Sequence, residues 1–198
     1  MVVAYHLVWT GYGWWLPNDP RGSMSHTIRS DVIAELGELH HGRKKVQPAS
    51  REIREFYEKA RETLAFPLLT FDDSQVAVIA NSFAEVIRQT PYTCYACAIM
   101  PDHIHVLIRK HRDKAEEMIA RLQDASKQAL REKGMVPGTH PVWGGPGWKV
   151  FLDSESDVYR TIQYIRRNPI PLRKPIQVWD FVKTYDGWLP GIGARRKR

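Results

Sequence analysis

The chain has 198 residues, 43% of them hydrophobic and 26% charged, with a formal net charge of +7. This balance excludes a disordered, collagen-like or membrane-spanning chain, and no apolar run approaches the roughly 20 residues that a bilayer crossing needs. Cys94 and Cys97 are too few for a disulfide framework, and the N-terminal residues lack the basic start and cleavage site of a secretion signal. The expectation is one cytoplasmic domain over 1–198.

Residues 2–10, rich in β-branched and aromatic side chains, predict a buried strand. A turn-rich stretch follows at 11–22, then a polar one to 48; the whole of 12–70 reads as an insertion. Within it, Ile53, Phe56, Tyr57, Ala60 and Leu64 recur at helical spacing over 50–65, with Ser50 as the expected cap. Val76, Ile79, Ala80, Phe83, Val86 and Ile87 mark a second helix. Residues 92–100 and 103–109 predict strands joined at Pro101-Asp102, hence a hairpin. Residues 113–133 carry a further apolar helical stripe, and 148–152 form a short strand. Ser154 and Asp157 resemble a capping box opening a last helix, which Pro169 and Pro171 end. This order predicts an α+β fold of ferredoxin-like or RRM-like type, a four-stranded antiparallel sheet with helices packed on one face.

The charge is unevenly placed. Residues 149–198 hold 11 Lys or Arg against 5 Asp or Glu, while 1–148 hold 18 against 17. The end, 190–198, reads as a disordered basic tail. Arg160, Arg166, Arg167, Arg173 and Lys174 lie on or beside the last helix, and a local basic surface there suits nucleic acid. Lys127 and Arg131, one helical turn apart, are further candidates for phosphate contact.

His103-Ile104-His105 is the sharpest local feature. On a strand, residues i and i+2 point to the same face, so both imidazoles project together as two candidate ligands for a divalent metal. A histidine-triad nucleotide hydrolase is disfavoured, because the next same-face position is Leu107. Tyr164 and Asn168 share one helix face by their i, i+4 spacing. A tyrosine hydroxyl can attack a phosphodiester if a metal polarises the phosphate, and the Asn168 carbonyl is a candidate third ligand. Hard oxygen with two nitrogens suits Mg or Mn. The alternative is a tyrosine packed on the sheet and an asparagine C-cap. Asp102 is placed to orient one imidazole, or simply to make the turn. His6 reads as a core histidine, with a place beside the metal as the alternative. The odd spacing of Cys94 and Cys97 on a strand predicts opposite faces, which argues against a zinc knuckle.

ProAspHisIleHisValLeuIle followed by TyrIleArgArgAsnPro resembles the single-tyrosine HUH transposases, where U is hydrophobic, and among them the REP-associated tyrosine transposases. The resemblance covers the first strand and roughly residues 74–172. It implies an RRM-like fold, metal binding by His103 and His105 completed by Asn168, and Tyr164 as the nucleophile. Tyr164 would cut single-stranded DNA beside hairpins of palindromic repeats, keep the 5′-phosphate and leave a 3′-hydroxyl. The partner is single-stranded or hairpin DNA, and the protein a monomer or homodimer. The chain departs from the pattern in its long 12–70 insertion and in having Trp143-Gly144 where the family has Trp-Gln. A non-catalytic nucleic-acid-binding protein of RRM-like fold is the alternative.

Overall fold

The computed structural model describes residues 1–191. Strands β1 (Ala4–Thr10), β2 (Cys94–Ile99), β3 (His103–Arg109) and β4 (Trp148–Leu152) form one sheet in the order β2-β3-β1-β4. Every neighbouring pair in that sheet is antiparallel. Helices α1 (Asp31–Ala34) and α2 (Ser50–Thr63) lie in the insertion; α3 (Asp73–Gln89), α4 (Ala115–Glu132) and α5 (Glu155–Arg167) belong to the sheet domain. No helix among the described residues is long and apolar enough to cross a membrane. The basic tail expected over 190–198 lies, from residue 192 onward, outside the described residues.

The sheet has two different faces. Tyr5, Leu7 and Trp9 of β1 and Ile104, Val106 and Ile108 of β3 pack with Ile79, Phe83, Met118, Ile119 and Leu122 of α3 and α4. Expecting all helices on this face is corrected by α5. Its Val158 and Ile165 pack on the opposite face, against Ala4, Ala96, Ala98 and Leu107. Three alanines there leave room for a helix to lie close to the strands, and α5 buries its apolar stripe on them.

Local chemistry fixes the helix starts. Asp72 caps α3, accepting from the Gln75 backbone N–H at 2.8 Å while the Gln75 side chain accepts from the Asp72 N–H at 3.0 Å. Ser154 caps α5 as expected, accepting from the Asp157 N–H at 3.1 Å. Ser50 is instead the first residue of α2, behind Ala49, and makes no cap.

A second correction concerns the cysteines. A bulge between Cys94 and Ala96 inserts one residue into β2, so Cys94 and Cys97 both enter the α3/α4 core while Tyr95 and Ala96 face α5. Both thiols are buried and free, and burial pushes the Cys94 pKa up to about 12. They pack in the hydrophobic core.

The insertion builds its own small core from Leu16, Leu36, Tyr57 and Ala60. It is tied to the hairpin turn at both ends. The Gly11 N–H donates to the Asp102 carbonyl at 2.9 Å, and the Phe71 N–H to the Pro101 carbonyl at 2.7 Å. Gly22 shows why a glycine is needed in its loop. Its φ is +90°, and a Cβ there would stand 1.9 Å from the Gly42 carbonyl oxygen.

Candidate active site

The register places the two histidines of β3 beside β1: His105 pairs with Val8, and His103 with Thr10. Their parity sends both to the face that α5 crosses, as the i, i+2 spacing requires. The two rings stand 4.9 Å apart, nearly perpendicular. Tyr164 of α5 stands beside His105, its ring 5.4 Å away, and 6.1 Å from His6, edge to face with both. Half of the Tyr164 side chain, 49%, remains exposed. The sheet and α5 therefore bring a reachable phenol to a pair of imidazoles.

His6 belongs to this cluster. Its Nε2 lies 2.9 Å from His105 Nδ1, so a single hydrogen is shared between the two buried rings. Burial lowers the His6 pKa to about 4. Burial, then the charges of His103 and His6, hold His105 well below the ordinary histidine range. Neutral imidazole is the form that binds a metal. His6 enters the cluster through the β1–β3 register. On an antiparallel neighbour of β3, its parity puts it diagonal to His105.

His103 is held from its other side. Asp102 Oδ1 lies 2.6 Å from His103 Nδ1. Burial raises the Asp102 pKa, but the His103 hydrogen bond and the charges of His103 and Arg21 outweigh it, and the net shift is downward. In its neutral form, His103 donates from Nδ1 to the carboxylate and keeps a lone pair on Nε2. If His105 likewise donates from Nδ1 to His6, its Nε2 is free as well. With those tautomers, His103 and His105 could hold a divalent cation, each ring supported from its Nδ1 side by a neighbour. Among the described residues no third His, Cys, Asp or Glu joins them as a metal cluster.

Asn168 lies one helical turn beyond Tyr164, at the end of α5. Its side-chain amide lies along its own helix, donating to the Tyr164 carbonyl at 3.5 Å. Its backbone is helical, φ −54° and ψ −38°, despite the following proline. The helix passes directly into a 3-10 turn at Ile170–Leu172.

The basic candidates divide. Arg160, Arg166, Arg167 and Arg173 are exposed along α5 and the turn after it, on the side of the sheet that holds Tyr164. Arg160 pairs with Asp157, and Lys174 with Asp73. Lys127 and Arg131 are elsewhere. They lie on α4, behind the opposite face, lining a groove with Pro141 and Trp143. Lys127 pairs with Asp124 at 2.7 Å, and Arg131 donates to the His140 carbonyl at 3.3 Å.

The insertion contributes a network that no short motif announces. The Tyr57 hydroxyl donates to the fully buried Asp19 and accepts from the Trp15 N–H at 3.0 Å and from Arg21 Nη2 at 2.7 Å. Arg21 also grips Asp19 with two nitrogens, at 2.9 and 2.7 Å. Its guanidinium lies 3.8 Å over the Trp15 ring, and that ring stands 6.5 Å from His103. Tyr57 is 36 residues from Arg21, so only the folded loop reveals the grouping.

No family model matches the sequence, and no curated relative does. Among solved structures, the chain is similar to a REP-associated tyrosine transposase bound to a REP hairpin. The TM-score is 0.46 at 12% identity, covering 86% of this chain and 68% of that one. It is also similar to a candidate transposase from Deinococcus radiodurans, with a TM-score of 0.41 at 14% identity, covering 83% and 89%.

Proposed function

We propose that the chain is a metal-dependent HUH-type transposase that cleaves and rejoins single-stranded DNA beside hairpin-forming palindromic repeats through a 5′-phosphotyrosine. One observation carries this reading: Tyr164, half exposed, stands 5.4 Å from His105, whose ring is 4.9 Å from that of His103 on the same face of the sheet. His103 and His105 would hold a divalent cation, Mg or Mn, whose chemistry would be to polarise the scissile phosphate. The chain's own residues do the rest. Asp102 and His6 hold the two imidazoles by their Nδ1 atoms. Arg166 and Arg167 follow Tyr164 on α5 and grip the backbone of the strand to be cut. The Tyr164 hydroxyl oxygen attacks phosphorus and the P–O3′ bond breaks. The phenol loses its proton to solvent, and the 3′-oxygen leaves as a hydroxyl by taking one up. Attack by a 3′-hydroxyl reverses the step and rejoins the strand.

The test is a hairpin oligonucleotide with a single-stranded flank, labelled at either end and incubated with Mg or Mn. The fragment 3′ of the cut should migrate with the protein on a denaturing gel, and the fragment 5′ of it should migrate free. Chelation should abolish both products. Cleavage without any protein-linked label, or a label linked equally in Tyr164→Phe, contradicts the proposal.

A further inference from the structure

We infer that Trp15 is a stacking platform, on which an unpaired base of single-stranded DNA rests beside the phosphate engaged by His103 and Tyr164. The inference deepens the proposed function and rests on it for the position of the strand. Three features of the insertion carry it.

Trp15 has a φ of +54°, in the left-handed region that a bulky side chain rarely occupies. Such a conformation is costly and persists only where its surroundings impose it. Here they do: the Trp15 N–H is fastened to the Tyr57 hydroxyl, itself locked to buried Asp19. The loop thus spends backbone strain on one indole's placement. A second feature is the result of that placement, since the ring stands 6.5 Å from His103 at 77°. The third is Arg21, whose guanidinium covers one face of the indole at 3.8 Å while its Nε and Nη2 are held by Asp19. A half-buried tryptophan with a cation fixed behind it is pre-organised, so little side-chain freedom is lost when a base arrives. Base–aromatic stacking tolerates any base, because each has a π-face. Trp15 therefore supplies grip on the unpaired strand without reading its sequence.

The experiment measures the affinity of the full chain for an oligothymidylate and for an abasic oligomer of equal length, which carries the same charge and no bases. Trp15→Ala should weaken oligothymidylate binding about 5- to 150-fold and leave abasic binding unchanged. Trp15→Phe should recover most of the loss. Trp15→Gly removes the cost of the positive φ, so it should melt no lower than Trp15→Ala while losing the same affinity. Unchanged oligothymidylate binding in Trp15→Ala or Trp15→Gly, or an equal loss on both oligomers, overturns the inference. So does a wild-type chain that binds neither. The proposed function fails separately, by absence of a Tyr164 adduct, an outcome that base-selective loss at Trp15 does not touch.

Discussion

On one face of the sheet Tyr5, Leu7, Trp9, Ile104, Val106 and Ile108 meet two helices in a dry core. On the other, Ala4, Ala96 and Ala98 let α5 lie close, and His6, His103 and His105 stand among them. Successive residues of the same two strands serve these two faces, so β1 and β3 divide their work by parity alone. The aliphatic face carries the fold. The alanine and histidine face sacrifices apolar burial to hold polar side chains hydrogen-bonded to one another. Substitutions should therefore separate into those that cost stability and those that cost chemistry.

The largest expected effect is on the dry face. Phe83 is fully buried there, and Phe83→Ala should lose about 3–5 kcal/mol of stability in denaturant unfolding, by lost burial and a residual cavity. A loss under 1 kcal/mol would break the division. Next is the polar face. Asp102→Asn keeps the shape but removes the carboxylate that fixes His103, and should lower metal affinity or cleavage about 10- to 100-fold. Its melting temperature should stay close to wild type.

A smaller effect separates the two basic groups. Replacing Arg166 and Arg167 by alanine should flatten the dependence of log affinity for single-stranded DNA on log salt, by about 0.7 for each phosphate no longer neutralised. Replacing Lys127 and Arg131, behind the other face, should leave that slope in place. Equal slopes for the two double variants would place the DNA on both sides of the sheet.

The smallest effect lies at the rim of the dry face, where the Tyr92 hydroxyl donates to Asp113 at 2.7 Å. That hydrogen bond, with the charges of His111, Arg121 and Arg112, holds the Asp113 pKa below its ordinary value of 3.8. A carboxylate lowered on folding adds stability above its unfolded pKa and loses it as pH falls through the folded one. Tyr92→Phe should thus lower stability slightly at neutral pH. The difference from wild type should fade below the ordinary aspartate range. A difference that grows in acid would give Asp113 the opposite role.

Much of this plan is legible in the sequence because it rests on short periods. The i, i+2 spacing of His103 and His105, the i, i+4 spacing of Tyr164 and Asn168, and the helical stripes of α3, α4 and α5 are all local. What stays hidden depends on pairing at long range. The face that α5 takes follows from the three alanines of β1 and β2, which only meet once the sheet forms. The shared face of Cys94 and Cys97 follows from one bulged residue, which no propensity marks. His6 resembles an ordinary core histidine until the β1–β3 register sets it against His105. The Asp19–Arg21–Tyr57–Trp15 network joins a turn to a helix across the insertion, and its residue types taken singly suggest only a loop.

The most direct test of the central claim is to map the covalent bond. After reaction with hairpin DNA and Mn, digestion by nuclease and then trypsin should yield the peptide spanning residues 161–166, with added nucleotide mass on Tyr164. Nucleotide mass on another residue of the wild-type chain, or cleaved DNA with no modified peptide, would contradict the account.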